Sequence, residues 1–335
     1  MQLDCLLRDC LMPLEYIYKI LCKNDDKEYL KYRIPSELGI ENEFYKKIEE
    51  YYDLLKEYNY NSLIYLQSTG NYEGVIPDNI LELISQHDVL VIDYYYNVTL
   101  DNLPNNVKLI NIGTINYYKH ALNNLPTNLE HLIFKTGYYE LLDYLPIALK
   151  TLIITGYCNM PLHNLPPSLK VLSVGGRYNQ PFINLPAGLE SLTLSEFYQV
   201  ELQSLPPNLK ELYIGSDYYL PLVSLPDSIE TLTISGSVGY IDKFPISLKT
   251  LNIGYEACFY GTLNDSVEEI SVGSFSRNVL YNLLEEHMPN NLKRILLNPM
   301  RTYDFKSEQY QISDSENSIL DDIRKTYPNY EVRFV

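Results

Sequence analysis

Apolar residues recur along most of the chain in one pattern, L-P-x-x-L-[KE]-x-L-x-[IVL], that returns about every twenty residues. The run LKTLIIT, which begins at Leu149, shows its second half, and close copies are LKVLSVG, LESLTLS, LKELYIG, IETLTIS and LKTLNIG. In the first run Leu152 and Ile154 alternate with variable residues, which is the period of a strand with one buried face. Successive strands separated by a fixed length are expected to run parallel, about 4.8 Å apart. The pattern therefore predicts a solenoid of repeats with a parallel sheet along one side.

A proline stands before the strand segment of nearly every repeat. The series comprises Pro104, Pro126, Pro146, Pro166, Pro186, Pro206, Pro226 and Pro245, with outlying copies at Pro77 and Pro289. Proline fixes φ and has no amide donor, so it suits a stretch that has left the sheet. Pro161, Pro181 and Pro221 lie in the middle of three connections, where they disfavour helices. We therefore expect the convex side of the solenoid to be mostly extended or turn-like.

Two further series appear when the repeats are aligned. An aromatic column stands seven residues before the leucine of each Leu-Pro pair: Tyr96, Tyr118, Tyr138, Cys158, Tyr178, Tyr198 and Tyr218. We interpret these rings as core with hydroxyls near the wet rim, the alternative being a ligand platform. A charge ladder follows the first apolar residue of each strand segment: Lys108, Glu130, Lys150, Lys170, Glu190, Lys210, Glu230, Lys249, Glu268 and Lys293. Because its signs nearly alternate, neighbouring strands are expected to pair opposite charges.

The two ends of the chain depart from the repeat. Residues 1–60 are expected to be helical, from LEYIYKIL and ENEFYKKIEEYYDLLKEY, and to form an N-terminal cap. Repeats are expected over residues 61–300, with a short helix inserted in an early unit between Ile76 and Asp93. Residues 301–335 are expected to form a C-terminal cap, in which a helix, a Tyr-Pro break and a closing strand follow one another.

The repeat resembles leucine-rich repeats, and the stretch RYNQPF, with Tyr178, Asn179 and Pro181, is similar to the FNIP type of that class. Partial copies are CNMPL from Cys158 and YYLPL from Tyr218. FNIP proteins are abundant in social amoebae and giant amoebal DNA viruses. The resemblance implies a horseshoe with a parallel sheet on its concave face, and a role in protein–protein recognition. Some members carry an N-terminal F-box that binds a Skp1-type subunit of a ubiquitin ligase.

One departure from plain leucine-rich repeats concerns the asparagine that ties neighbouring loops together in that class. The corresponding residues here are Tyr157, Arg177, Phe197, Asp217 and Ser237, and none of them is asparagine. We expect the aromatic column, one residue later, to replace that asparagine ladder.

The composition narrows the possible functions. A formal net charge of -17 argues against binding nucleic acid, which needs clustered Lys and Arg, and against docking on an anionic membrane. The five cysteines are spread and form no C-x-x-C pair, so neither a zinc site nor a disulfide framework is expected. The first residues, MQLDCLLRDC, do not have the pattern of a signal peptide. We expect a cytoplasmic protein, in the host cytoplasm if it is viral.

The chain has no motif typical of catalysis. G-x-x-x-x-G-K-[ST], G-x-G-x-x-G, H-E-x-x-H and G-x-S-x-G are all absent from the sequence. The five histidines are scattered and lack the spacing of metal ligands. Cys158 and His163 form an imaginable nucleophile pair, but Cys158 falls in the aromatic column. We therefore expect no enzyme, no catalytic residue, no metal and no cofactor.

Function is then expected on the concave face of the sheet, where two outward positions of each strand vary; we call this the variable face. One row comprises His131, Thr151, Val171, Ser191, Glu211, Thr231, Thr250 and Glu269, and the other Asn111, Ile133, Ile153, Ser173, Thr193, Tyr213, Thr233, Asn252 and Ser271. Ile133, Ile153 and Tyr213 are expected to be exposed apolar side chains. The partner-binding hypothesis rests on His131, Ile133, Ile153, Thr193, Glu211, Tyr213, Thr233 and Asn252.

Two functions remain open. The first is a stand-alone module that binds a protein partner along the variable face. The second is a ubiquitin-ligase adaptor in which residues 1–60 bind a Skp1-type subunit and the repeats bind a target. A structural role in a viral particle is a third alternative. The fold of residues 1–60 separates the first two, since a cap buries its apolar helical face on the first strands and an F-box leaves that face exposed.

Overall fold

The computed structural model describes residues 16–22, 48–68, 72–92, 96–113, 117–236, 238–254, 262–273, 277–298, 301–304, 309–312 and 314–334. They fall into two compact units, an N-terminal unit, Met1–Met160, and a C-terminal unit, Pro161–Val335. Each unit is a stretch of parallel-stranded solenoid, as the repeat pattern predicts.

The N-terminal unit carries a sheet of six described strands. Its elements are β1 (Tyr16–Cys22), α1 (Ile48–Glu57), β2 (Ser62–Ser68), β3 (Tyr72–Val75), α2 (Asp78–Ile84), β4 (Val89–Ile92), β5 (Tyr96–Thr99), β6 (Leu109–Ile112), β7 (Tyr117–Tyr118), β8 (His131–Phe134), β9 (Gly137–Tyr138) and β10 (Thr151–Ile154). The sheet order is β1-β2-β4-β6-β8-β10, with β1 antiparallel to β2 and the others parallel. Short parallel pairs, β3 with β5 and β7 with β9, run beside it.

The C-terminal unit continues the same construction. Its elements are β11 (Val171–Val174), β12 (Ser191–Thr193), β13 (Glu211–Ile214), β14 (Thr231–Ile234), β15 (Thr250–Ile253), β16 (Glu269–Gly273), α3 (Arg277–Glu286), β17 (Arg294–Asn298), β18 (Arg301–Asp304), β19 (Gln309–Ile312), α4 (Asp314–Thr326) and β20 (Glu331–Phe334). Strands β11 to β17 and then β20 form a parallel sheet, and β18 pairs with β19 antiparallel.

The repeat spacing sets the register of these strands. In the C-terminal unit Leu192 pairs with Leu172 on one side and Leu212 on the other, and all three are buried. Residues on either side of each leucine point outward, so β11, β13, β14 and β15 alternate between buried and more exposed side chains. The predicted period of two is confirmed.

The conserved spacing of Leu-Pro-x-x-Leu within this chain has a simple cause. The carbonyl oxygen of each series proline accepts a hydrogen bond from the amide three residues later, as Pro186 does from Leu189 at 3.0 Å and Pro206 from Leu209 at 3.1 Å. The proline thus begins a turn that immediately precedes the next strand. The next two amides both bond to the preceding turn: Lys210 and Glu211 donate to the carbonyl of Glu190 at 2.8 and 3.0 Å.

The aromatic column is core. Tyr118, Tyr138, Cys158, Tyr178, Tyr198 and Tyr218 are all buried. In the C-terminal unit the rings of Tyr178, Tyr198 and Tyr218 stack at centroid distances of 6.3 Å. The expectation that their hydroxyls lie near the wet rim is wrong, because the oxygens of Tyr138, Tyr198 and Tyr218 are buried as well. Burial raises the pKa of Tyr198 far above its usual value.

Two asparagines that stand one position after the aromatic column hydrogen-bond to the next turn. The side-chain oxygen of Asn179 accepts a hydrogen bond from the amide of Gln199 in the next turn, at 2.8 Å. Asn97 does the same for Lys119, at 3.4 Å. The asparagine of the FNIP-like stretch therefore has a structural role. The equivalent residues Lys119, Tyr139, Gln199 and Tyr219 are not asparagine, whereas the aromatic column runs through all of these repeats.

The ends agree with the sequence prediction in part. Helices α1, α2 and α4 and the closing strand β20 lie in the segments predicted for them. Residues Tyr16–Cys22, predicted as helix within LEYIYKIL, instead form β1, which pairs with β2 from Tyr16 opposite Ser68 to Cys22 opposite Ser62. The segment YIYKILC is rich in aromatic and β-branched residues, which favour strands, and β2 would otherwise expose an unpaired edge. Residues 23–47, which include part of the second predicted helical segment, lie outside the described residues.

Candidate functional site

The variable face of the C-terminal unit presents two rows of mostly small polar side chains. Pairing of the strands aligns Ser173, Thr193, Tyr213, Thr233, Asn252 and Ser271 in one row and Val171, Ser191, Glu211, Thr231, Thr250 and Glu269 in the other. Glu211 and Tyr213 are exposed, whereas Thr193, Thr233 and Asn252 are half-buried. The two exposed side chains stand two residues apart on β13, so they project from the same side of the strand.

Tyr213 is held by the neighbouring turn. Ser235, just after β14, donates a hydrogen bond from its hydroxyl to the Tyr213 hydroxyl at 2.6 Å. The ring remains 36% exposed, because its neighbours in the row, Thr193 and Thr233, are short. Asn252 donates to the hydroxyl of Thr233 at 3.0 Å, which orders the next part of the row. Ser235 is not among the predicted site residues. It directly follows the buried Ile234 at the end of β14, so the alternation of the strand places it on the same side as the variable face.

Ion pairs run along the edge of this face, as the charge ladder predicts. Glu190 accepts from both Lys170 and Lys210, at 3.0 and 2.7 Å. Further along, Lys249 pairs with Glu230 at 2.5 Å and Lys293 with Glu268 at 2.7 Å. The two lysines hold the pKa of the Glu190 carboxyl below its usual value. The ladder leaves little net charge along its length.

Glutamates of the variable face itself differ in their partners. Glu269 pairs with Arg294 of the next strand, Nε to Oε2 at 2.5 Å. Across the ranges that the structure describes, Glu211 has no ion-pair partner, since its chain neighbour Lys210 is turned to Glu190. An exposed carboxylate thus stands beside an exposed aromatic ring.

The variable face of the N-terminal unit is covered by α1 and the residues after it. Tyr51, Leu55 and Tyr60 are buried against outward side chains of β2, β4, β6 and β8, namely Leu63, Tyr65, Val89, Val91, Leu109 and Ile133. The rings of Tyr51 and Tyr65 lie 5.4 Å apart. An ion pair between Glu50 and Lys135 joins the helix to the turn after β8. In this unit the sheet therefore has an apolar layer on both sides.

Three predicted site residues lie in this covered region. The ring centroid of His131 lies 4.3 Å from that of Tyr58 and 6.0 Å from that of Tyr60, and burial lowers its pKa to about 4. Ile133, expected to be exposed, is 5% exposed, and Ile153 is half-buried against the same cluster. The expectation of exposed apolar side chains is wrong at these two positions because α1 packs on them. Of the three side chains that were expected to be exposed, Ile133, Ile153 and Tyr213, only Tyr213, in the C-terminal unit, is exposed.

The described parts of the structure hold no cluster of side chains that could bind a metal ion. No group of three or more His, Cys, Asp or Glu side chains converges there on one point. Cys158 is buried and its thiol pKa is raised by burial, which disfavours a nucleophilic thiolate. Within the same residues, each helix is too short or too polar to cross a bilayer.

Known proteins contain repeats similar to those of this chain. The FNIP Repeat family matches residues 159–197 and 199–237. Among solved structures, CroV588, described as a novel circular leucine-rich-repeat protein, is 22% identical over 71% of this chain and 38% of its own, with a TM-score of 0.53. YopM from Yersinia enterocolitica WA-314 is 21% identical over 63% of this chain and 46% of its own, with a TM-score of 0.43. This chain thus spans less than half the length of either structure. No curated protein sequence matches it.

Proposed function

We propose that this protein, a leucine-rich-repeat solenoid of the FNIP type, is a non-enzymatic module that binds a protein partner through the variable face of its C-terminal unit. Solenoids of this class are typically interaction modules, because a row of repeats creates an extended face whose outward residues vary without disturbing the core. The FNIP Repeat matches at residues 159–197 and 199–237 lie almost entirely within this unit, which begins at Pro161.

The observation that carries the proposal is the exposed pair Glu211 and Tyr213, which stands on a face whose other side chains are mostly short. Binding energy in protein interfaces concentrates in a few aromatic or charged anchors surrounded by weaker contacts. Here the anchor ring is fixed through Ser235, so little side-chain freedom is lost when a partner docks. The residues beside it in the row are the short Thr193 and Thr233, and about a third of the Tyr213 side chain is exposed to solvent.

The other predicted contact residues take two different roles. Thr193, Thr233 and Asn252 flank the anchor pair and are proposed to supply hydrogen bonds at the edge of the interface. His131, Ile133 and Ile153 lie in the N-terminal unit beside α1, so we assign them to the cap contact and not to the partner.

The test is a paired capture and stability experiment. The double variant Glu211→Ala, Tyr213→Ala should lose capture of a protein partner from a cell lysate while the melting temperature hardly moves. The control His163→Ala, Gln203→Ala replaces exposed residues of the same unit outside the variable face and should retain both properties. Partners would be identified by mass spectrometry and then tested in purified form. Capture that survives the change at Glu211 and Tyr213 would contradict the proposal.

The adaptor function makes a different prediction. Helix α1 buries Tyr51 and Leu55 on the strands, which is the outcome expected of a cap. Removal of residues 1–60 would uncover that apolar cluster, so the adaptor function is better tested with the full chain and a purified Skp1-type subunit. A stable complex on size-exclusion chromatography would favour the adaptor over the stand-alone module.

A further inference from the structure

The ion pairs around β13 leave the Glu211 carboxylate without an ion-pair partner of its own among the described residues. Lys210 lies next to Glu211 in the chain but pairs with Glu190, and Glu230 of the next turn pairs with Lys249. The other carboxylate in the same row, Glu269, is neutralised by Arg294. Among the described residues of this face, Glu211 is therefore the carboxylate with which a cation of the partner protein can pair without breaking an existing ion pair. The net charge of -17 draws cationic segments toward the chain in general.

Tyr213 adds an aromatic surface beside that carboxylate. Its hydroxyl is tied to Ser235, and its ring is exposed between two threonines. Residues two apart in a strand are about 7 Å apart along the backbone and point the same way. A cation that lies over the ring is then within reach of the Glu211 carboxylate, and cation–π attraction adds to the charge attraction.

This combination suits a guanidinium better than an ammonium. The guanidinium is planar and weakly hydrated, so one face stacks on a ring while its edge donates to a carboxylate; an ammonium is a compact, strongly hydrated charge. The C-terminal unit already uses both contacts internally. Arg294 pairs with Glu269, and the Arg177 guanidinium lies over the Phe197 ring at 5.7 Å.

We infer that the variable face of the C-terminal unit recognises an arginine side chain of its partner, held between the Tyr213 ring and the Glu211 carboxylate. The inference rests on the proposed function, since it names the chemistry that the same anchor pair selects. The partner segment is a basic one, and its arginine is the residue that fixes its position on the sheet.

Synthetic peptides test this without knowledge of the partner. Labelled hexa-arginine and hexa-lysine carry the same charge, and their Kd values for the full chain are measured by fluorescence anisotropy at physiological salt. We expect hexa-arginine to bind more tightly. Glu211→Gln and Tyr213→Leu should each weaken hexa-arginine about fivefold, the effect of losing about 1 kcal/mol. Tyr213→Phe keeps the ring and should retain most of the binding.

The matched control is Glu201→Gln, which removes the same charge from an exposed residue of the same unit outside the variable face. It should weaken hexa-arginine by no more than about twofold. Equal weakening by Glu201→Gln and Glu211→Gln would show general charge attraction and overturn the inference, as would equal affinity for the two peptides. If the double alanine variant loses protein capture while hexa-arginine shows no preference, this inference fails and the proposed function stands. If capture persists in that variant, both fail.

Discussion

Tyr65 and Tyr213 occupy equivalent positions of the repeat, one in each unit, and their surroundings differ completely. Tyr65 is fully buried beneath α1, whereas Tyr213 is 36% exposed on a face that no described segment covers. The rows differ accordingly. The row that begins at Tyr65 continues with Val91, the buried Asn111 and Ile133, whereas Tyr213 stands between Thr193 and Thr233. One scaffold thus makes an interior from an apolar variable face and a surface from a polar one. The covered face adds to the hydrophobic core, and the open face is the one that we propose binds a partner.

The largest effect expected from this comparison is on stability. Tyr65→Ala should lower the free energy of unfolding by about 3–5 kcal/mol, the usual cost of truncating a buried aromatic side chain. Tyr213→Ala should change it by no more than about 0.5 kcal/mol, since the ring is exposed and makes one side-chain hydrogen bond. Urea denaturation of the two variants measures both values. Equal losses of unfolding free energy would mean that Tyr65 and Tyr213 do not differ in burial.

A smaller effect concerns pH, because the His131 ring packs against Tyr58 and Tyr60 in the covered part of the N-terminal unit. Its pKa is lowered to about 4 by burial, so the folded state binds a proton less readily than the unfolded chain, in which histidine titrates near 6.5. The contribution of neutral His131 is therefore complete above pH 6.5 and declines as the pH falls toward 4. His131→Asn should flatten the fall in unfolding free energy between pH 6.5 and 4. An unchanged slope would show that the burial of His131 does not contribute to the pH dependence of stability.

The smallest effect is expected at the ion pairs. Glu190 has a pKa lowered by its hydrogen bonds to Lys210 and Lys170, so its contribution is present above the unfolded pKa of about 4.5 and is lost as the pH falls through the lower folded value. Glu190→Gln in the C-terminal unit and Glu50→Gln at the contact of α1 with Lys135 should each lower the melting temperature slightly, and less at high salt. A loss of stability comparable to that of Tyr65→Ala would contradict the assignment of these pairs to solvent-exposed electrostatics.

Much of the fold follows from the sequence because the repeat supplies the same local information many times. The spacing of Leu172, Leu192 and Leu212 sets the register, and the column that contains Tyr198 identifies the core. The Lys–Glu alternation gives the pairing along the edge. These features depend on contacts between adjacent turns, which a periodic sequence encodes directly.

The cover over the N-terminal unit is not encoded in that way. Helix α1 reaches Ile133 across about eighty residues of sequence, and no local pattern states such a contact. A signal was nevertheless present: VLVI and LINI, in β4 and β6, are apolar at nearly every position, as expected of strands buried on both faces, whereas TLTI and TLNI in β14 and β15 alternate. The strand at Tyr16–Cys22 was missed because short runs of Tyr, Ile and Leu suit a helix and a strand almost equally.

The alternating charge ladder also constrains how a gene for this protein can change in length. Lys170, Glu190, Lys210 and Glu230 follow one another on adjacent turns. Loss of one turn, such as Pro186–Leu205, sets Lys170 beside Lys210, and like charges on neighbouring strands repel. Loss of two neighbouring turns sets Lys170 beside Glu230 and restores the alternation. Within this stretch, duplications or deletions of an even number of repeats preserve the alternation of lysine and glutamate on neighbouring turns, and those of an odd number disrupt it.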